Sequence, residues 1–134
     1  MIDLNLLREN PEAIKASQRA RGAEESLVHQ AASADEQWRA ALQKFENLRA
    51  EQNSSAKVVA TASKEEKPAL IAAAQELAAK VKAAEAEANQ AQQELNEILW
   101  KIENVVITDV PSGGEENFVV IKEVGTKASF DFEP

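Results

Sequence analysis

The chain has no cysteine, which excludes disulfides and thiolate metal sites and is in keeping with a reducing compartment. It has no tyrosine either, and four Phe with two Trp are its only aromatics among 134 residues. So few large rings cannot fill a thick globular core. No run of about 18 apolar residues occurs, so no membrane-spanning helix is predicted. The opening MIDLNLLREN lacks a basic region followed by an apolar run, so no signal peptide is read. The predicted setting is cytoplasmic.

What is abundant is Ala, with Glu, Lys, Leu and Gln, the composition of long helices. Leu70, Ala74, Leu77, Val81, Ala84, Ala88, Ala91, Leu95, Ile98, Ile102 and Val105 alternate at spacings of four and three. That is a heptad seam, which requires another helix along its length. Leu27, Ala31, Ala34, Trp38, Ala41, Phe45, Leu48, Gln52, Ser55 and Val59 form a second seam. Folded antiparallel, the two place Val59 on Leu70, Phe45 on Ala84, Trp38 on Ala91 and Ala34 on Leu95. Large then faces small, as interdigitating layers require. The predicted fold is all-α: a long antiparallel hairpin with helices at about 27–60 and 67–105.

The flanks read in order. Asp3 caps a short helix ending near Asn10, and Asn10 with Pro11 starts a second that Gly22 ends. Leu4, Leu7 and Ile14 are predicted to pack on the base of the hairpin. Ser26 is the predicted N-cap of the first long helix. Ser63 and Glu66 have capping-box spacing at the hairpin turn, complicated by Pro68. After the seam, Val-Pro-Ser-Gly-Gly-Glu-Glu-Asn at 110–117 is a turn-rich break, and 118–124 reads as a strand. Phe130 and Phe132 close the chain with no apolar partner, as in a linker cut before another domain. The predicted division is an arm at 1–109 and a linker at 110–134.

No catalytic constellation is present. His29 lies on an exposed helical face without companions, a solvated or structural histidine rather than a ligand. Gly113-Gly114 has no phosphate-loop context and reads as a turn. Glu85 and Glu87 project from an open helix, where nothing would raise a carboxyl pKa for acid catalysis. Trp38 and Phe45 could stack on bases, but their seam positions make core packing the better reading. No catalytic residue, no metal site and no cofactor are assigned to this chain.

Charge is uneven. The net −8 argues against indiscriminate nucleic-acid binding and against DNA. Between Arg39 and Lys82, however, eight basic residues stand against five acids, a net +3 that leaves −11 for the rest. As a bare pattern this also fits a solvated face.

Three segments carry a family resemblance. They are Met-Ile-Asp-Leu-Asn-Leu-Leu-Arg-Glu-Asn-Pro-Glu-Ala-Ile at the start, Leu-Arg-Ala-Glu-Gln-Asn-Ser-Ser-Ala-Lys at 48–57, and the break at 110–117 followed by Gly125. In these the chain resembles the N-terminal tRNA-binding arm of bacterial seryl-tRNA synthetases. It departs at Val59-Ala60 and at Glu103-Asn104, where the family often has Ile-Gly and Pro-Asn. The resemblance implies an arm that grips the elbow and long variable arm of serine tRNA, and selenocysteine tRNA where that exists. It implies a homodimer formed by a class II catalytic domain not contained here, which would attach serine using ATP and Mg2+. Arg49, Asn53 and Lys57 match the family's segment and are candidate RNA contacts. Lys44, Lys64, Lys67, Lys80 and Lys82 are added from charge and location. The alternative is a helical-hairpin protein-interaction or spacer domain without RNA binding; a free-standing enzyme has no supporting residue.

Overall fold

The computed structural model describes residues 2–107, 109–126 and 131. Helix α1 spans Leu4–Glu9, α2 Pro11–Arg21, α3 Ser26–Thr61 and α4 Lys67–Leu99. The last two form the predicted antiparallel hairpin, with α1 and α2 packed against its base. At 1.5 Å per residue, the 36 residues of α3 extend about 54 Å.

Local chemistry sets the element ends. The Asp3 carboxylate accepts from the Asn5 N–H at 2.8 Å, and the Asn10 side chain accepts from the Ala13 N–H at 3.2 Å. Gly22 ends α2 at φ 70°, a left-handed conformation that costs glycine little. The Ala23 N–H then reaches back to the Gln18 carbonyl at 2.9 Å, the closing bond of a Schellman end. The Ser26 cap is corrected. Ser26 is the first residue of α3, Glu25 occupies the cap position, and the Ser26 hydroxyl donates to Glu24 at 3.2 Å instead.

At the hairpin turn, Ser63 and Glu66 make their capping box. The Ser63 hydroxyl and N–H donate to the Glu66 carboxylate at 2.8 and 3.3 Å, and the Glu66 N–H donates back to the hydroxyl at 3.4 Å. These bonds hold the Glu66 carboxyl below the usual range. Regular helix starts only at Lys67, so Pro68 falls in the first turn, where a missing N–H leaves nothing unpaired. The anticipated clash is thereby avoided.

The main core lies at the base. Ile2, Leu7, Ile14, Val28, Ala31, Ala34, Leu95, Leu99 and Ile102 form one buried cluster. Both seams are buried or half-buried from Leu27 to Val59 and from Leu70 to Ile102. Buried positions on both helices extend from the base, where α1 and α2 add cover, out to the level of Ala41 and Ala88, and α4 still buries Ala84, Val81 and Leu77 beyond it. Beyond Leu48 on the outgoing helix the seam is no better than half-buried.

Helix α4 is shorter than the seam predicts. It stops at Leu99, and Val105 is exposed. The reason is a set of hooks from α2. The Gln18 side chain, fully buried, donates to the Glu103 carbonyl at 3.0 Å and accepts from its N–H at 3.3 Å. Ser17 accepts from the Val106 N–H at 2.7 Å, and Arg21 donates to the Asn104 carbonyl at 3.1 Å. Extended backbone paired this way cannot also continue a helix.

The strand at 118–124 is a second correction. That stretch has no ladder partner, and no strand exists among the described residues. β-formers alone cannot make a strand without a neighbour to bond. Phe118, Ile121 and Val124 are left exposed, Ile121 at 98%. Phe130 and Phe132 lie outside the described residues.

Candidate nucleic-acid interface

Most cations at the base of the molecule are held by acids, Lys101 being an exposed exception among the described residues. Asp35, 1% exposed, accepts from Arg8 Nε at 2.9 Å and Nη2 at 2.6 Å, and from Arg39 Nε at 2.9 Å. The Arg8 hydrogen bonds, reinforced by Arg39, keep the Asp35 carboxyl below its ordinary range despite burial. Lys15 pairs with Glu12 at 2.7 Å, Arg19 with Glu25, and Arg21 with Glu103 at 3.4 Å. Farther out, Lys44 of α3 crosses to Glu87 of α4 at 2.7 Å.

Past Lys44 the pairing stops. Arg49, Lys57, Lys64, Lys67, Lys80 and Lys82 are all exposed, and none has an ion-pair partner among the described residues. Arg49 instead sits over the Phe45 ring, 5.8 Å from its centroid, which fixes the guanidinium without cancelling its charge. Arg49, Asn53 and Lys57 follow one another by a turn of α3 and so form one stripe. In the antiparallel register, Lys80 lies at the level of Arg49 on the neighbouring helix. Lys64 sits in the turn, and Lys67 opens α4.

The structure thus divides the eight sequence candidates. Arg49, Asn53, Lys57, Lys64, Lys67, Lys80 and Lys82 share the distal half, free of acid partners. Lys44 stands at the boundary with its charge already matched. Trp38 and Phe45 are half-buried in the seam, as core packing requires. His29 is exposed on α3. The residues that composition alone hides are the counter-ions Asp35 and Glu87. One spacing signal existed for each: Asp35 and Arg39 are four apart on a helix, and Lys44 and Glu87 occupy heptad positions flanking the two seams.

Concavities along the hairpin are open grooves, such as that between Gln37, Lys44, Glu87 and Glu94. Among the described residues, no three of His, Cys, Asp and Glu converge as a metal site would need. No helix of the described residues is long and apolar enough to cross a membrane. What remains is a projecting rod with a cationic far half, suited to touching a polyanion by charge and shape.

The seryl-tRNA synthetase N-terminal domain family matches residues 1–106. The chain belongs to that family. Over its full length it is 51% identical to the serine–tRNA ligase of Clavibacter sepedonicus and 56% identical to that of Pseudarthrobacter chlorophenolicus. In each case it spans only 32% of the longer protein. The fold agrees with a solved structure, the cytoplasmic serine–tRNA ligase of Naegleria fowleri in complex with AMP. There the TM-score is 0.73 at 30% identity, covering 94% of this chain and 28% of that one. This seryl-tRNA synthetase N-terminal domain therefore corresponds to about the first third of its relatives.

Proposed function

We propose that this domain is the tRNA-binding arm of a serine–tRNA ligase, gripping the elbow and long variable arm of serine tRNA. The observation that carries this is the unpaired cationic half of the hairpin, on a scaffold whose other cations are mostly matched. Arg49, Asn53, Lys57, Lys64, Lys67, Lys80 and Lys82 supply the contacts, with Lys44 at their inner limit. Phosphates are met by charge, and the RNA is selected by shape rather than by base edges.

Catalysis belongs to a body outside residues 1–109, where ATP and Mg2+ would serve serine activation and transfer. The whole ligase acts as a cytoplasmic homodimer whose arm guides the acceptor end of serine tRNA, and of selenocysteine tRNA where present, to the active site. Residues 110–134 link the arm to that body. The exposed Trp100, Ile107, Phe118 and Ile121 are apolar surface that such a body would cover.

The test is a salt titration of the chain against serine tRNA, with a tRNA lacking the long variable arm as control. Salt-sensitive binding that prefers the long-armed RNA is expected. Reversing Lys57, Lys80 and Lys82 to Glu should weaken binding and flatten its salt dependence while helix content stays unchanged. Binding unaffected by that triple reversal would overturn the assignment of contacts. No preference between the two RNAs would favour the spacer alternative.

A further inference from the structure

Helix α4 changes character along its length. From Ala83 to Trp100 it carries Glu85, Glu87, Glu94 and Glu97, all exposed, and not one Lys or Arg. Glu87 holds Lys44 at 2.7 Å, and both side chains keep more than half of their surface in solvent. Glu94, about 10 Å farther along the axis, accepts from Gln90 at 2.9 Å and has no cation partner among the described residues. Distal to this level, among the described residues, unpaired acids (Glu46, Glu51, Glu65 and Glu76) are interspersed with more numerous unpaired cations, whereas from Ala83 to Trp100 the helix offers acids alone, and the next cation is Lys101 at the base.

We propose that this acidic shaft, with Glu87 occupying Lys44, is an electrostatic stop that limits how far along the arm an RNA can sit. The inference rests on the tRNA-binding reading above. A phosphate approaching Lys44 meets a carboxylate already in place. It also comes within about one Debye length of Glu94 at 0.1 M salt, too near for the repulsion to be fully screened. Attraction at Arg49, Lys57, Lys80 and Lys82 therefore cannot spread toward the base by sliding. Glu87 and Glu94 contribute to specificity by repulsion: they leave one register, at the tip, in which shape is tested.

The test compares two double variants of the full chain that change net charge equally. Glu87→Gln with Glu94→Gln removes the stop, whereas Glu9→Gln with Glu123→Gln removes two exposed acids elsewhere. Both are titrated with serine tRNA and with a tRNA lacking the long variable arm, over a range of salt. The first pair should tighten low-salt binding about three- to tenfold and steepen the salt slope by roughly one contact. It should also reduce the preference for the long-armed tRNA, while the second pair leaves that preference intact. Equal gains from both pairs, or no gain from the first, would overturn the stop while leaving the arm reading standing. A parent chain that binds neither RNA at low salt would overturn both.

Discussion

The base and the tip of this hairpin share one heptad pattern but are built for different ends. At the base, Ile14, Val28, Ala31 and Leu95 are essentially fully buried, and Asp35 gathers two arginines. Three side chains of α2 also hook the departing backbone. At the tip the α3 seam is half-exposed and includes Gln52 and Ser55, and the surface around it carries cations without partners among the described residues. Beyond the base cluster, burial on α3 reaches only to Ala41, although Leu77, Val81, Ala84 and Ala88 of α4 stay buried, so packing is densest where α1 and α2 lie. The unmatched cations lie where packing is loosest. Dense packing and unmatched charge are thus separated along a single coiled coil.

The sharpest way to break that comparison is to make the same cut at both ends. Leu95→Ala empties a fully buried site in the base core and should cost about 3 kcal/mol. Leu70→Ala removes the same atoms from a half-buried site near the turn and should cost under about 1 kcal/mol, since water already reaches it. Urea unfolding followed by helical circular dichroism measures both. Equal losses would mean that the tip is as well packed as the base.

Next in size is Asp35. Replacing it with Asn keeps the shape but leaves Arg8 and Arg39 without their shared charge, at a cost of roughly 2 kcal/mol because both arginines retain some solvent contact. The pH dependence has a definite sign. The folded carboxyl titrates below its unfolded value of about 3.9, so its stabilisation is complete above that value. It is lost as pH falls through the folded one. The gap between wild type and Asp35→Asn should be flat from pH 7 to about 5 and close under stronger acid. A gap that widens in acid would contradict the ion-pair account.

A smaller effect should come from repairing the tip. Gln52 faces Leu77 in the antiparallel register and is half-buried. Gln52→Leu should raise hydrogen-exchange protection of nearby distal amides by about 1 kcal/mol, while base amides hardly change. Protection rising equally at both ends would show that the rod opens as one unit, and the contrast drawn here would fail.

Much of the fold was legible because its determinants are local or periodic. The seam positions from Leu27 to Ile102, the caps at Asp3 and Asn10 and the Gly22 stop all follow from nearby residues. What escaped was set at long range. Ile98 and Ile102 continue the heptad spacing perfectly, yet α4 ends at Leu99 because Gln18, some 85 positions away, binds the backbone of Glu103. Val28, Asp35 and Leu99 are buried off the seam because α1 and α2 pack there. The 118–124 segment has β-forming residues but no strand to pair with. At the candidate interface, the cations could be read from the sequence. Which of them were already spoken for depended on the register of two helices.

That last point yields the smallest expected effect. In a double-mutant cycle with Lys44→Ala and Glu87→Ala, the coupling to stability should be about 0.3 kcal/mol. The pair is solvent-exposed on both sides, so water and salt replace most of what each ion gives the other. Unfolding of the four chains in urea measures it. A coupling above about 1 kcal/mol would make the pair a structural clamp between the helices and would explain Glu87 without reference to RNA. A coupling near zero would make the pair structurally neutral, the ordinary outcome for two ions that keep most of their hydration.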